Sequence, residues 1–257
     1  MKKILLFIFV CIALSACNSE KDEVGVPDKE YAGTVTIDKV LYISDDGVTA
    51  YVKDGKRAIG EVLIPDFVTI KGRRMPVDCI YGNQGTMMFG YGAFSDNRDI
   101  NKVVLSGNIK EISYSAFYGC NGLRDIQIPN SVIIIGRSAF ERCNSMTSVA
   151  IPNSVTNIGA KAFSIQGVFT DVIIGASVKY IGENAFLSTN TKDQPISVYV
   201  RSKTPPIILN GVIFSTKAKI IVYVPEGTKE LYASSEYWKD LEIVEYPGDV
   251  NGVNTTN

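Results

Sequence analysis

The feature that most constrains this chain is a dipeptide, Ala-Phe, that returns every 23 residues. Other apolar columns keep the same period, among them an isoleucine five residues before each phenylalanine, a place that Phe89 takes in the first repeat. Self-similarity at a fixed period of this length predicts a stack of structural repeats. The dipeptide occurs five times in one register, at Ala93-Phe94, Ala116-Phe117, Ala139-Phe140, Ala162-Phe163 and Ala185-Phe186.

The unit at residues 123–143 indicates how each repeat folds. Its start, Leu-x-x-Ile-x-Ile, alternates apolar and polar residues, which predicts a short strand with Ile126 and Ile128 facing inward. Pro129 ends the strand because proline lacks a ladder donor, and Gly136 marks a bend where a side chain is unwelcome. One coil cannot bury its own faces, so equivalent side chains must stack roughly 5 Å apart. The sequence therefore predicts a β-rich solenoid whose phenylalanine column is core.

This motif resembles a known family. The run Ile-Pro-Asn-Ser-Val at 128–132, followed by Ile-Gly, Ala-Phe and Cys at fixed offsets, is similar to the BspA-like class of leucine-rich repeats of bacterial surface lipoproteins. The resemblance covers roughly residues 65–225. It implies a right-handed leucine-rich repeat coil stack and an adhesin-like role in binding host matrix, other bacteria or glycans. The family motif includes no catalytic residues.

Segments on both sides of the repeats are predicted to cap the stack, because a solenoid exposes its ends. Five units are assigned to residues 85–194, after an antiparallel N-terminal β cap at 31–84 that carries Asp-Gly turn signals. Residues 195–247 are expected to hold an irregular repeat, with strands at 196–200 and 220–225, and a C-terminal cap. In that cap the Thr228 side chain is predicted to cap a short helix reaching about Tyr237, and Trp238 is predicted to be buried. Residues 248–257 are interpreted as a disordered tail, with the start of a calcium loop as the alternative.

The N-terminal residues are predicted to be a targeting segment rather than part of the folded domain. Residues 1–16 combine two lysines with an apolar run too short to cross a bilayer, which is typical of a signal peptide. Leu-Ser-Ala-Cys at 14–17 resembles the lipobox of bacterial lipoproteins, which implies cleavage before Cys17 and attachment of the chain to the membrane through a lipidated Cys17. A plain signal peptide or an uncleaved anchor is the alternative. Residues 17–30 are acidic and predict a flexible tether. Lys21-Asp22-Glu23 within the tether resembles an export signal, so an outer membrane lipoprotein exposed at the cell surface is expected.

Composition excludes several classes of function. The chain has 0 histidines, which removes Ser-His-Asp and Cys-His catalysis and the usual catalytic zinc sites. A net charge of -1 gives no basic face for nucleic acid. Neither a metal nor a cofactor is expected, because no cysteine cluster has metal-binding spacing and no glycine-rich loop follows a strand. Paired carboxylates remain as a route to a carbohydrate-active enzyme, with Asp125 and Asp171, or Asp96 and Asp99, as candidates.

The alternation within each strand identifies side chains that point away from the core. They form a strip along the sheet, the face that solenoids use for binding. The return turns give a second outward row, which begins at Lys110 and Glu111 and contains a candidate contact patch of Ile133, Ile134 and Tyr180. Packing of that patch against a flanking segment is the alternative. The predicted ligand-binding residues on the strip are Lys102, Val104, Asp125, Gln127, Ser148, Asp171 and Ile173.

The residues alone leave open whether two of the cysteines are bonded and which function the chain has. Cys120 and Cys143 share one column, so they are either buried thiols or a disulfide between adjacent coils. The expected function is that of a lipid-anchored, non-catalytic surface protein that binds a protein or glycan ligand through the strip. A carbohydrate-active enzyme and a structural envelope component without a soluble ligand are the alternatives.

Overall fold

A computed structural model of the chain describes residues 32–82, 92–188, 195–214 and 218–246. The signal peptide, the tether with Cys17, Phe89 and the C-terminal tail lie outside these residues, so what is predicted for them stays a prediction. The described residues form a β-solenoid of about seven turns with almost no helix. The fold class predicted from the repeats is therefore confirmed.

Each coil contributes short strands to the stack. In chain order the elements are β1 (Gly33–Ile37), β2 (Val40–Ser44), β3 (Ala50–Asp54), β4 (Gly60–Leu63), β5 (Phe67–Ile70), β6 (Arg73–Ile80), β7 (Ile100–Val104), β8 (Glu111–Ile112), β9 (Asp125–Gln127), β10 (Ile134–Ile135), β11 (Ser148–Ala150), β12 (Asn157–Ile158), β13 (Asp171–Ile174), β14 (Tyr180–Gly182), β15 (Ile196–Val200), β16 (Ile207–Leu209), β17 (Ile220–Pro225), α1 (Lys229–Ala233) and β18 (Glu242–Tyr246).

Two ladders of parallel strands run along the stack. The main ladder consists of two sheets, β4-β7-β9 and β11-β13-β15-β17-β18. The return ladder runs β3-β6-β8-β10-β12-β14-β16. Equivalent residues of neighbouring coils lie side by side, as Val103 does with Ile126 and Ile135 with Ile158. Both ladders extend beyond 85–194 into the predicted cap segments, so the flanks continue the same stack.

The phenylalanine column forms the centre of the core. Neighbouring rings are stacked with centroids 4.9 to 5.5 Å apart and planes within 10° of parallel, from Phe94 to Phe186. Each of these five side chains is 0% exposed. A sixth ring, Phe214, continues the column at 5.9 Å from Phe186. The predicted role of this column as core is confirmed.

The glycine column is where neighbouring coils approach most closely. A Cβ added at Gly159 would lie 2.3 Å from the backbone nitrogen of Arg137 in the preceding coil. No side chain can occupy that position unless the coils move apart. The bend predicted at Gly136 has the same basis, because a Cβ there would lie 2.7 Å from the backbone nitrogen of Tyr114.

The two cysteines that share a column are free buried thiols. Each donates to a phenylalanine carbonyl of the preceding coil: Cys120 to Phe94 and Cys143 to Phe117, both at 3.1 Å. The alternative of a disulfide between Cys120 and Cys143 is therefore wrong. Burial, followed by the neighbouring Cys120, raises the pKa of the Cys143 thiol, which keeps it in the neutral donor form.

The N-terminal region departs from the prediction in two ways. Strands β1, β2 and β3 are antiparallel as expected, but β3 pairs with β6, and β4 with β7, in the parallel sense of the solenoid. Ile80 pairs with Ile112 and so takes the place in the isoleucine column that the sequence assigned to Phe89. The stack thus begins within the segment predicted to be the cap.

At the C-terminal end, the predicted strands and the predicted burial of Trp238 agree with the structure. The strands predicted at 196–200 and 220–225 are β15 and β17, and Trp238 is 1% exposed, with its indole nitrogen donating to the Pro206 carbonyl at 3.0 Å. The helix begins after Thr228 but ends at Ala233, well before Tyr237. The predicted cap hydrogen bond is wrong, because the Thr228 hydroxyl donates to the Pro225 carbonyl at 2.6 Å and makes no bond to the helix.

Candidate ligand-binding face

The outward side chains of the main ladder form two rows, which together we call the outer face. Within a parallel ladder, residues in register stand side by side on the same face of the sheet. The first row is Glu61, Lys102 and Asp125, followed by Ser148, Asp171, Ser197, Ile221 and Glu242. The second row is Leu63, Val104 and Gln127, followed by Ala150, Ile173, Tyr199, Tyr223 and Val244.

The N-terminal part of the outer face brings four of the predicted residues together. Lys102 lies beside Asp125, and Val104 lies beside Gln127. Gln127 is exposed, whereas the other three are partly buried. Lys102 is also held by Glu61 on β4, with Nζ 3.0 Å from Oε1. Because both side chains of that pair are substantially exposed, it contributes about 0–1 kcal/mol to stability.

The C-terminal part confirms the placement of two predicted residues and corrects a third. Ser148 and Asp171 lie side by side, the first exposed and the second partly buried. Ile173 was predicted to be exposed, but it is only 1% exposed. Its neighbour in register on β15 is Tyr199, whose large side chain stands on the same face. Ile173 is therefore buried at the outer face and offers almost no contact area to a ligand.

A stacked tyrosine pair on the outer face was missed by the sequence reasoning. Tyr199 and Tyr223 are in register on β15 and β17, with ring centroids 4.7 Å apart and an interplanar angle of 13°. Both are partly exposed. The signal was present, because Ile-Ser-Val-Tyr-Val at 196–200 and Ile-Val-Tyr-Val at 221–224 alternate in the same way as the earlier strands. The irregular spacing of these strands concealed their continuity with the predicted strip.

The tyrosine pair gives the outer face an amphipathic ridge. Burial, followed by the nearby Tyr223 and Asp171, raises the pKa of Tyr199, so its hydroxyl remains protonated at neutral pH. Stacked rings that stand on a sheet present apolar edges and hydroxyl groups to solvent. Such groups combine packing area with hydrogen bonding, which is why tyrosine is enriched at interfaces.

The return ladder does not bring the predicted contact patch together. Asn157 stands in register between Ile134 and Tyr180, which places them about 10 Å apart. Ile133 is 40% exposed beside Ile134. The apolar neighbour of Tyr180 is instead Ile207, which is 57% exposed. The patch is therefore two separate apolar spots.

Glu111 on the same ladder was predicted to point into solvent but is only 3% exposed. Its Oε1 accepts a hydrogen bond from Ser113 at 2.7 Å, and its Oε2 has no hydrogen-bond partner. Burial raises the pKa of Glu111, and the charge of Asp78 acts in the same direction, while the Ser113 bond opposes both. The cause of the misplacement is its position between Cys79 and Ile134 in register, both of which are also shielded from solvent.

The carboxylates considered for catalysis are spread along the stack. Asp125 lies on β9 and Asp171 on β13, with the coil of Ser148 between them, and Asp96 and Asp99 lie in exposed turns. The described residues hold no group of three or more histidine, cysteine or carboxylate side chains positioned to bind a metal ion. In that same part of the chain, no helix has both the length and the apolar character needed to span a bilayer.

Comparison with known proteins places the repeats in a family. The sequence profile described as the BspA type leucine rich repeat region matches residues 87–202 in six copies. The repeats of this chain are BspA type leucine-rich repeats. The resemblance predicted from the Ile-Pro-Asn-Ser-Val motif is thus confirmed. A comparison with curated proteins gives no match.

Solved structures of bacterial proteins are similar to this chain at low sequence identity. A leucine-rich repeat protein from Bacteroides ovatus is 20% identical, with a TM-score of 0.50 over 82% of this chain and 67% of its own. The pneumococcal vaccine antigen PcpA is 15% identical, with a TM-score of 0.50 over 77% of this chain and 51% of its own. A leucine rich cell surface protein from Faecalibacterium prausnitzii is 20% identical, with a TM-score of 0.44 over 85% of this chain and 57% of its own.

The BspA type repeat separates positions that pack between coils from positions that differ from coil to coil. Its recurring positions are the inward isoleucines and valines, the glycine and the phenylalanine, all of which serve packing between coils. Outward positions are free of that constraint and differ from coil to coil, from Lys102 through Ser148 to Tyr199. Any recognition chemistry of this chain must therefore come from its outer positions or from its ends.

Proposed function

We propose that this chain is a non-catalytic binding protein that recognises a protein or glycan ligand with the outer face of its main ladder. The observation that carries the proposal is the set of exposed and partly exposed side chains that stand in register within each of the two sheets of the ladder. Polar groups such as Asp125, Gln127 and Ser148 occur on the earlier strands of the face, and the apolar edges of Tyr199 and Tyr223 on the later strands. A leucine-rich repeat fold is consistent with protein binding.

We further propose that the chain is displayed at the cell surface by a lipid on Cys17. The lipobox resemblance at residues 14–17 and the acidic tether after it support this part of the proposal. Cys17→Ala should move the protein from the membrane fraction to the soluble fraction, and the wild-type chain should be removed from intact cells by added protease. Unchanged fractionation of Cys17→Ala would contradict lipidation, and resistance to protease would contradict surface exposure.

The binding proposal is tested with the soluble chain from Tyr31 onward against glycan arrays and host matrix proteins. A saturable ligand should bind at least about tenfold more weakly to the triple variant Asp125→Asn, Gln127→Ala and Ser148→Ala. The matched control replaces Lys110 and Lys179, which are exposed on the return side, with alanine. Equal losses in both variants would show that the outer face is not the site.

The same experiment separates the other two functions. Turnover of a polysaccharide that is abolished by Asp125→Asn would favour a carbohydrate-active enzyme. If no glycan and no matrix protein binds, and a stoichiometric partner co-purifies from native membranes, a structural envelope component would be favoured. Saturable binding without turnover is the result that the proposed function predicts.

A further inference from the structure

The phenylalanine column ends at Phe214, and a cleft opens beside this last ring. Phe214 stacks on Phe186 on one side, and no other aromatic ring among the described residues is stacked on it. The cleft has a volume of about 500 Å³. That volume is large enough for two or three side chains and lies within the range of small ligand sites.

The cleft exists because the last turn has no residue equivalent to Phe214. After β17 ends, residues 226–241 form α1 and a tight turn before β18 begins. Two large rings of this segment cover a different part of the end, because Tyr232 donates to the Ser202 carbonyl at 2.8 Å and Trp238 to the Pro206 carbonyl. The turn places Glu236 and Tyr237 at the cleft instead. A stacked aromatic column therefore ends at an open site.

The lining of the cleft combines an apolar floor with an acidic rim. Phe214, Ile220 and Leu241 contribute to the floor. Three carboxylates, Glu236, Asp240 and Glu242, lie at the rim. Among the described residues of the lining, Lys219 is the one cation, and its Nζ lies 2.6 Å from Oε2 of Glu242. Among the described residues, Glu236 and Asp240 are exposed and have no ion-pair partner.

We propose that this cleft binds a peptide segment that presents an aromatic side chain next to a lysine or arginine. The aromatic ring would continue the column against Phe214, at the spacing of about 5 to 6 Å that the other rings keep. The neighbouring cation complements Glu236 and Asp240. The residues of the chain after Tyr246 include no aromatic side chain and no lysine or arginine, so they lack the chemistry of this occupant.

This site shares one residue, Glu242, with the outer face, and the variants proposed for the two sites leave Glu242 unchanged. The predicted ligand residues Lys102 to Asp171 lie on earlier coils, whereas the cleft lies at the last two. Variants of one site therefore leave the other intact, and either proposal can fail alone.

The test titrates the purified chain with three short peptides and follows the methyl resonances of Val212, Ile220 and Leu241. Ac-Lys-Phe-Lys-amide should shift them saturably, with a dissociation constant in the millimolar range. Ac-Lys-Ala-Lys-amide tests the ring and Ac-Glu-Phe-Glu-amide tests the charge, and each should bind about tenfold more weakly. The double variant Glu236→Gln, Asp240→Asn should lower the affinity for the first peptide to a similar degree.

The matched control is Glu226→Gln, Glu230→Gln, which neutralises two exposed carboxylates outside the cleft and should leave the affinity unchanged. Both double variants change exposed side chains, so loss of folding does not confuse the comparison. Equal affinity for the phenylalanine and alanine peptides, or no shift with any peptide, would overturn the proposal. Self-association of the chain that disappears in the Glu236→Gln, Asp240→Asn variant would also overturn it, since the occupant would then be a second copy.

Discussion

Replacing Phe140 with alanine is expected to destabilise the stack by about 4–5 kcal/mol. Phe140 is 0% exposed and lies in the middle of the column, 5.2 Å from Phe117 and 5.0 Å from Phe163. Truncating a buried phenylalanine typically costs about 3–5 kcal/mol, because the transfer free energy is lost and a cavity remains. The upper end applies here, since two stacked partners lose their contacts and the tightly stacked coils cannot close the gap.

Phe214→Ala provides the comparison within the same column. Phe214 is only partly buried and has one stacked neighbour, so its loss should cost about 2 kcal/mol. For a chain of this size, 1 kcal/mol corresponds to about 2–4 °C in Tm. We therefore expect Phe140→Ala to lower Tm by about 8–20 °C, and Phe214→Ala by about 4–8 °C.

The measurement is urea and thermal unfolding, followed by circular dichroism for the whole stack and by the fluorescence of Trp238 for its C-terminal end. Trp238 lies in the cap, far along the chain from Phe140, so coincident transitions would indicate that the coils unfold together. The reasoning is refuted if Phe140→Ala is no more destabilising than Phe214→Ala, because neighbour stacking would then not control the stability of the column.

Three further substitutions test other features of the stack. Glu111→Gln should stabilise the protein at pH 7, because the folded pKa of Glu111 is raised. The contribution of Glu111 to stability is fully present below the ordinary glutamate pKa of about 4.3 and is lost as pH rises through the folded pKa. The gain in the free energy of unfolding should vanish near pH 4, roughly at the ordinary pKa, and a constant gain at all pH values would contradict this. Lys161→Gly should stabilise the protein by about 0.5–1 kcal/mol, because the backbone φ of 57° at Lys161 is left-handed. Its control, Lys179→Gly, changes a position without positive φ and should destabilise the protein. The urea midpoints of the two variants are compared. Gly159→Ala should cost roughly 1–3 kcal/mol through the contact with the Arg137 backbone, whereas Gly107→Ala, whose Cβ would meet only Asp66 at 3.8 Å, should change the thermal midpoint little.

The core of this protein could be predicted from the sequence because stacking turns sequence spacing directly into spatial adjacency. Phe117 and Phe140 are 23 residues apart in the chain and stacked in space. The same relation holds for Val149 and Val172 on the main ladder. Once the period is known, the neighbour of every core residue follows by counting, and no long-range contact has to be guessed.

Prediction failed where the period is interrupted. Between Ile80 and Ala93 the chain contains extra residues, and counting back from Phe94 selects Phe89 rather than Ile80 for the isoleucine column. Counting cannot reveal how long an inserted loop is. Only the pairing of Ile80 with Ile112 in the return ladder determines the register there.

The outer face was harder to predict than the core for a related reason. Alternation identifies which side of a strand a residue faces, but exposure depends on the side chains that stand beside it on the neighbouring coils. Ile173 faces outward as expected and stands in register with Tyr199, 26 residues later, yet it is only 1% exposed. Recognition surfaces on this fold are therefore properties of pairs of coils, so a variant intended to alter binding must be chosen from the register of the ladder as well as from the repeat motif.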